Sequence, residues 1–321
     1  MQQNPSADMS SMRLGPVKAT IKAQPEDWRV DERLGWGFTG SGEHRYLYIE
    51  KRNMNTTAVA AELVQRYSVR PQDVGYAGLK DKRAITRQWF SVTTPDDSID
   101  HELARPVSHG EDQYYRCLES ARHLRKLRRG EHQRNDFTVR LGCELDLAVP
   151  LLAQLAQPFV NYFGPQRFGG DNLAAAKRWL VDRRPRRVNK VRRGLYLSVA
   201  RSYLFNLIAA ARERQGCAST AVSGDLSGQL VASLWGRGRS PFTGQALAIE
   251  NAAVQQELAL CHGLEMAGVD RGLRPLLVQP SNFSFAQHPA TAILEVSFSL
   301  PPGAYATVML QRCFEVKDQS R

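Results

Sequence analysis

GYAGLKDKRAITRQWF, residues 75–90, predicts a strand, a charged turn and a second strand. In the first strand, Gly75, Ala77 and Gly78 are small enough to let another part of the backbone approach closely. The aromatic residues nearest to the turn in the sequence are Tyr76, Trp89 and Phe90. We therefore expect the turn to border a packed, partly aromatic surface.

The carboxylate of the turn is Asp81, whose neighbours are the cations Lys80, Lys82 and Arg83. Nearby cations favour the ionised form of a carboxylate, which can then act as a nucleophile or a base. A solvated aspartate in a charged turn is the commoner meaning of such a pattern, because surface ion pairs are frequent and contribute little. The small and aromatic neighbours favour the catalytic interpretation.

Outward from this segment, strands are predicted towards both ends of the chain and helices in the middle. Residues 44–51 alternate, with Tyr46 and Tyr48 on one face. An extended segment broken by a Pro-Glu-Asp turn is predicted at 19–32, and further strands at 137–141 and 291–300. Helices are predicted at 58–67, capped by Asn55 and Thr56, and at 150–157, 173–181, 198–213, 254–263 and 306–314. The pattern indicates one α/β domain that an insertion interrupts.

The chain is long and basic, and its excess charge is concentrated in two segments. Its 321 residues include 43 Lys and Arg against 32 Asp and Glu, a net charge of +11, and the length predicts two domains. Residues 116–140, the first basic segment, hold 8 basic and 3 acidic residues; residues 177–193, the second, hold 9 and 1. Such clustering is typical of phosphate binding, although a single cluster could equally be a solvated helix face.

Several classes of site lack their sequence signals. The five cysteines and seven histidines show no metal-ligand spacing, so neither a disulfide scaffold nor a metal is expected. Gly35, Gly37 and Gly40 spell GxGxxG but lead into a predicted strand rather than a helix, and no P-loop or GxSxG occurs. No apolar run is long enough for a membrane span, and polar residues 1–16 predict a disordered leader of a cytoplasmic protein. We expect no cofactor.

Five further segments carry a resemblance together with residues 75–90. They are QPEDWRVDE (24–32), GSGEHRYLYIEKRNMNT (40–56), HLRKLRRGEHQRNDFTVRL (123–141), NYFGPQRFGGDN (161–172) and LPPGAYATVMLQR (300–312). In content and order they resemble the TruD family of tRNA pseudouridine synthases. The resemblance covers nearly the whole chain after the leader.

The resemblance implies a role for individual residues. Asp81 falls at the family's nucleophilic aspartate, and Lys22 at a basic residue that pairs with it. Asn135 matches an asparagine that contacts the substrate, and Phe137 an aromatic that lines the pocket. Trp28 and Tyr305 stand where the family more often has Phe, and both keep a flat face for stacking. Without the resemblance, Trp28 could be a core residue and Asn135 a turn residue.

The resemblance also implies the fold, the domains and the substrate. The fold is an α+β pseudouridine-synthase core with a mixed, largely antiparallel sheet and an inserted α/β TRUD domain. Residues 17–157 and 280–321 form the catalytic domain and 158–279 the insertion. The implied reaction isomerises uridine 13 in the D-arm of tRNA, with the chain acting as a monomer.

The two basic segments are the predicted contacts to the RNA backbone. Their residues are Arg125, Lys126, Arg128, Arg129, Arg183, Arg184, Arg186, Arg187, Lys190, Arg192 and Arg193. Two alternatives stay open: a non-catalytic RNA-binding protein of the same fold, and another RNA enzyme such as a nuclease. A nuclease would normally need a metal cluster or paired histidines, which the sequence lacks.

Overall fold

The computed structural model describes residues 15–95, 100–182 and 187–320. Residues 1–14 of the predicted leader, and Arg183, Arg184 and Arg186 of the second basic segment, lie outside these ranges. The described strands are β1 (Val17–Ile21), β2 (Trp28–Arg33), β3 (His44–Arg52), β4 (Val74–Tyr76), β5 (Ile85–Thr93), β6 (Val107–Ser108), β7 (Tyr114–His123), β8 (Arg134–Cys143), β9 (Phe159–Val160), β10 (Val231–Leu234), β11 (Gly272–Pro275), β12 (Leu277–Val278), β13 (Ser281–His288), β14 (Ile293–Leu300) and β15 (Phe314–Asp318). The described α-helices are α1 (Thr56–Arg66), α2 (Asp100–Leu103), α3 (Leu145–Ala148), α4 (Leu152–Leu155), α5 (Asn172–Val181), α6 (Lys190–Arg214), α7 (Gly244–Val254), α8 (Leu258–Met266) and α9 (Ala306–Gln311).

These elements form two compact units. The sheet unit comprises residues 15–156, 280–303 and 313–320, and the helical unit comprises Gln157–Gln279 and Ala304–Arg312. Each unit is therefore built from segments that are distant in the sequence.

A mixed, largely antiparallel sheet of 11 strands organises the sheet unit. Its main path runs β13-β14-β8-β2-β5-β3-β7-β6, while β1 joins β8 and β15, and β4 joins β5. Only the pairs β1–β15 and β2–β5 are parallel among the described strands. The predicted α+β fold with a mixed sheet is confirmed.

Residues 75–90 occupy the centre of this sheet. The first half of β5 pairs in parallel with β2, and its second half pairs antiparallel with β4. Glycine is needed at position 75 of β4, because a Cβ there would lie 2.3 Å from the carbonyl oxygen of Leu127. Gly78 is not needed in the same way, since its nearest neighbour would be 3.4 Å away.

Helix α1 covers one face of β3 and β5 and builds a hydrophobic core. Leu47 and Ile49 of β3 pack with Val59 and Leu63 of α1 and with Phe90 of β5, and all five are fully buried. Burying a side chain of this kind contributes roughly 1.5–3 kcal/mol. Alternation in β3 places the side chain of Lys51 on this same face.

The helical unit packs α5 and α7 against the 25-residue helix α6, with α8 beside α5. Its described strands form two small antiparallel sheets, β10–β11 and β9–β12. A buried ion pair between Arg212 of α6 and Asp225 supports the C-terminal half of α6. None of the helices in the described ranges combines the length and the apolar character that crossing a membrane requires.

Several predicted helices have other boundaries. Helix α6 begins at Lys190 rather than 198, because the side chain of Asn189 accepts a hydrogen bond from the Arg192 amide and caps an earlier, exposed turn. Val254 ends α7 instead of beginning a helix, and α8 follows one 3₁₀ turn later.

The last predicted helix, 306–314, is also too long. It stops at Gln311, and Phe314 begins β15, which pairs with β1 from the opposite end of the chain. The predicted helix 150–157 is helical only at Leu152–Leu155, since Pro150 lies in a 3₁₀ turn.

Candidate active site

The loop that carries Asp81 is tied to the sheet unit by its own backbone. The Lys80 amide donates to the Thr56 hydroxyl at 3.0 Å, and the side chain of Gln88 donates to the Gly78 carbonyl at 3.1 Å. Thr56 in turn donates to Gln88 at 2.8 Å, and both side chains are buried. Because α1 and β5 hold the loop from two sides, the position of Asp81 is fixed by the fold.

Asp81 forms an ion pair with a buried lysine. Its carboxylate lies 3.4 Å from Nζ of Lys22, and the side chain of Lys22 is 4% exposed whereas that of Asp81 is 34% exposed. The ammonium also lies 3.9 Å from the Asp318 carboxylate and 4.3 Å from the ring centroid of Trp28. The carboxylate therefore has a fixed cation on one side and remains accessible on the other.

Two of the cations that flank Asp81 in the sequence make other contacts. Lys80 Nζ lies 2.7 Å from the carboxylate of the buried Glu32. The guanidinium of Arg83 donates to the carbonyls of Ala23 and Gln319. The ion pair that the structure gives Asp81 is thus with Lys22, from a distant strand end, rather than with its sequence neighbours.

A second buried lysine contacts the main chain of Asp81. Lys51 Nζ donates to the Asp81 carbonyl oxygen at 2.6 Å, and Lys51 has no exposed surface. Burial lowers the pKa of Lys51 to about 7, an effect that the charge of Asp81 opposes and that of Lys80 reinforces. Lys51 therefore anchors the loop of Asp81 from the buried face of β3.

The predicted aromatic residues Trp28 and Phe137 lie on neighbouring strands of the same sheet. Trp28 is 2% and Phe137 9% exposed, and their rings meet edge to face at a centroid distance of 6.2 Å. Phe137 also stacks on Phe298 of β14 at 5.3 Å. The two predicted rings are thus parts of a buried aromatic layer, and Trp28 contacts the ion pair through Lys22.

Asn135 lies two residues before Phe137, so both side chains project from the same face of β8. Its side-chain oxygen accepts a hydrogen bond from Lys80 Nζ at 2.8 Å, and its amide nitrogen is 3.2 Å from Nε2 of His132. Asn135 is half-buried, and its strand partner opposite on β2 is Glu32. It is a strand residue with a fixed amide, not a turn residue.

Tyr305 belongs to the helical unit, where it immediately precedes α9. Its ring packs edge to face against Phe163 at a centroid distance of 6.0 Å and closely approaches Gly164. Burial raises the pKa of Tyr305. The sheet unit holds Asp81 together with the other predicted substrate-binding residues, which are Lys22, Trp28, Asn135 and Phe137.

The first basic segment spans most of β7, the connection at residues 124–133 and most of β8. Arg128 is exposed, Arg125 pairs with Glu131 at 2.8 Å, and Lys126 donates to a main-chain carbonyl. The Arg129 guanidinium lies 3.7 Å from the ring centroid of Tyr76. These contacts hold the segment close to the strand that precedes Asp81.

In the second basic segment, the described cations lie at and before the start of α6. Arg187, Lys190, Arg192 and Arg193 are exposed, and Arg193 donates to the carbonyl of Ala267 at 2.8 Å. Arg183, Arg184 and Arg186 are outside the described residues.

Sequence reasoning missed three residues of this site: Glu32, Lys51 and His132. A signal for two of them was present. Glu32 lies on the same face of β2 as Trp28, and Lys51 lies on the same face of β3 as the buried Ile49. Each is therefore a charged residue on an apolar strand face. His132 had no such signal, because it precedes its strand. Among the described residues, no group of three or more His, Cys, Asp or Glu is arranged to hold a metal ion.

Comparison with known proteins identifies the family. The model for "tRNA pseudouridine synthase D (TruD)" matches residues 8–187. The tRNA pseudouridine synthase D of Cellvibrio japonicus is 40% identical over 324 aligned positions, which cover 94% of this chain and 91% of that protein. That of Methylococcus capsulatus is 38% identical, with 94% and 92% covered.

A solved structure shows the same fold. The crystal structure of a chain described as tRNA pseudouridine synthase D (TruD) from Methanosarcina mazei superimposes with a TM-score of 0.63 at 19% identity, and the match covers 96% of each chain. With the family model matching more than half of the chain and two relatives matching nearly all of it, the chain belongs to the TruD family of tRNA pseudouridine synthases.

Proposed function

We propose that this chain isomerises uridine to pseudouridine in tRNA and that Asp81 is the nucleophile. The observation that carries the proposal is the ion pair between accessible Asp81 and buried Lys22 at 3.4 Å. The fixed ammonium holds the carboxylate in place and leaves its other side open, as covalent attack requires. The curated relatives named as tRNA pseudouridine synthases support the same reaction and substrate.

The isomerisation breaks the N-glycosidic bond, turns the uracil and rejoins it to the sugar through C5. A carboxylate oxygen of Asp81 forms a bond either to C1′ of the sugar or to C6 of the base. By either route, the bond to Asp81 breaks again and frees the carboxylate. The hydrogen on C5 leaves as a proton once the new C–C bond has formed, and N1 takes up a proton. The net change is an isomerisation, so it consumes no redox equivalent and no nucleotide.

The base has to leave the RNA stack before it can reach Asp81. Flipping a base costs a few kcal/mol, which aromatic contacts and hydrogen bonds to the base edge offset. Trp28 and Phe137 form a buried aromatic layer behind the ion pair, and their predicted contact with the base stays a prediction, as does that of Tyr305 in the helical unit. Asn135 reads the base edge with the hydrogen-bonding capacity that Lys80 and His132 leave unused.

The basic segments hold the tRNA by its phosphates, through shape more than sequence. Residues 17–157 and 280–321 act as the catalytic domain, of which Ala304–Arg312 pack in the helical unit, and residues 158–279 act as the inserted TRUD domain. We carry over uridine 13 of the D-arm as the target from the family resemblance. Action as a monomer in the cytoplasm, without a cofactor, stays a prediction.

The test is to map pseudouridine in tRNA from a strain that lacks this protein. We expect one site to be unmodified, at position 13, and purified protein to restore it while releasing tritium from [5-³H]uridine-labelled tRNA. Restoration at another position would refute the D-arm assignment alone. Tight tRNA binding without any tritium release would refute the enzymatic function and favour the non-catalytic alternative.

A further inference from the structure

The ammonium of Lys80 is enclosed in a network that has Asn135 at its open end. The side chain of Lys80 is 6% exposed and that of Glu32 is fully buried, and Nζ lies 2.7 Å from Oε2 of Glu32. The other carboxylate oxygen of Glu32 accepts a hydrogen bond from the Trp89 amide at 3.1 Å. Since Glu32 is held by β5, Lys80 is fixed in place and donates to Oδ1 of Asn135 at 2.8 Å.

His132 contacts the opposite side of the Asn135 amide. Its Nε2 lies 3.2 Å from Nδ2 of Asn135, and His132 is 8% exposed. Burial, with the charge of Lys80, lowers the pKa of His132 to about 4, so the imidazole is neutral at physiological pH. Since Lys80 holds the amide oxygen, Nδ2 faces the ring, and Nε2 accepts from it in the tautomer that carries the proton on Nδ1.

The chemistry of these neighbours permits only one orientation of the amide. An ammonium has donors and no acceptor, so it has to face the oxygen of Asn135. A reversed amide would place NH₂ against the ammonium of Lys80 and oxygen against Nε2 of His132. Each unsatisfied buried group costs roughly 1–3 kcal/mol, and more when it is charged. After both contacts, Asn135 still offers one lone pair on Oδ1 and one N–H.

We propose that Lys80 makes the site selective for uracil over cytosine by fixing the orientation of the Asn135 amide. The inference rests on the proposed function, in which Asn135 reads the edge of the flipped base. Uracil presents an N3–H donor next to carbonyl acceptors, which match Oδ1 and the remaining N–H. Cytosine presents an acceptor at N3, which would face Oδ1. An amide free to rotate would reverse and accept cytosine, whereas a fixed amide rejects it.

Lys80 is a positioning residue, because it acts through Asn135. A direct contact with an RNA phosphate does not fit a side chain that is 6% exposed and already paired with a carboxylate. A direct role beside the nucleophile does not fit either, because the ion-pair partner of Asp81 is Lys22.

The experiment measures the affinity of two RNAs that differ only in uridine or cytidine at the target position. Asp81→Asn serves as the common background, so that no turnover occurs. We expect the protein with Lys80 to bind the uridine RNA about 5- to 160-fold more tightly, which corresponds to the discrimination of about 1–3 kcal/mol by one good bidentate contact. In Lys80→Met, the ratio should fall below about threefold, mainly because the cytidine RNA binds better relative to the uridine RNA.

Two further variants separate this role from a structural one. His132→Leu removes the neighbour on the other side of the amide but keeps the Lys80 ammonium against Oδ1, so the ratio should stay high. Lys82→Met removes the adjacent exposed cation and should weaken both RNAs equally, leaving the ratio unchanged. A ratio that stays high in Lys80→Met, or one that falls equally in His132→Leu, would overturn the proposal. Tritium release from uridine tRNA by the protein that retains Asp81, measured in parallel, tests the proposed function separately.

Discussion

Replacing Lys51 by Met tests whether a buried lysine anchors the loop of Asp81. Lys51 has no exposed surface and donates to the Asp81 carbonyl at 2.6 Å. Met has nearly the same length and no charge, so the substitution removes the anchor with little change in packing. It should alter both the pH dependence of stability and the rate of the reaction.

The size of the stability effect follows from the pKa of Lys51, which burial lowers from 10.5 to about 7. Between these two pH values the unfolded chain carries the lysine proton and the folded chain does not. The free energy of unfolding of the wild type therefore rises with pH in this window, by up to about 1.4 kcal/mol per pH unit from this group. From pH 7 to pH 9, the loss of this proton from folded Lys51 raises the free energy of unfolding by about 2 kcal/mol.

The assay is urea unfolding of the wild type and of Lys51→Met at pH 6, 7, 8 and 9, followed by fluorescence. The stability of the variant relative to the wild type should decrease by about 2 kcal/mol from pH 7 to pH 9, since only the wild type gains this contribution. The exposed Lys18 of β1 provides the matched control, and Lys18→Met should show a constant difference. A constant difference for Lys51→Met as well would refute the buried, proton-losing lysine.

The same variant should lose activity although it folds. Without the hydrogen bond to its carbonyl, Asp81 is less well placed, and a displacement of about 1 Å can cost on the order of 100-fold in rate. We expect tritium release by Lys51→Met to fall about 10- to 100-fold at saturating tRNA, with the affinity for tRNA unchanged. Equal rates for the two proteins would show that the anchor is not needed for the reaction.

Three other experiments test separate parts of the structure. Gly75→Ala should destabilise the protein by about 1–3 kcal/mol in urea unfolding, because its Cβ would lie 2.3 Å from a carbonyl oxygen; Gly78→Ala is the matched control and should be near neutral. Lys22→Met should lower the rate of tritium release at least tenfold without weakening tRNA binding, and a rate within twofold of the wild type would contradict the ion-pair role. Charge reversal of Lys190 and Arg192 should weaken tRNA binding and reduce the slope of log K against log salt by about 0.7–0.9 for each phosphate that is no longer neutralised, whereas an unchanged slope would remove this segment from the interface.

Several strands of the sheet unit, among them β3, β5, β8 and β14, could be predicted because their signals are local. Residues 44–51 alternate, and the charged turn that holds Asp81 lies between two strands, as predicted. Strand β15 could not be predicted in this way, because its partner β1 lies almost 300 positions away in the sequence. Tertiary pairing outweighs the local helical pattern that continues past Gln311.

The candidate site shows the same division between local and non-local information. The charged neighbours of Asp81 were visible in the sequence, but the directions of their side chains were not. Lys80 points to Glu32 on β2, and the ion pair of Asp81 comes from Lys22, 59 positions earlier. Glu32 and Lys51 were within reach of sequence reasoning, since a charge on an apolar strand face has to find a buried partner.

The most direct measurement is tritium release from [5-³H]uridine-labelled tRNA by the wild type and by Asp81→Asn, at saturating enzyme. Asp146→Asn, an exposed aspartate of α3, is the matched control. If Asp81 is the nucleophile, Asp81→Asn should bind the tRNA and release no tritium above background, while Asp146→Asn retains the wild-type rate. Release by Asp81→Asn within tenfold of the wild-type rate would contradict the nucleophilic role of Asp81.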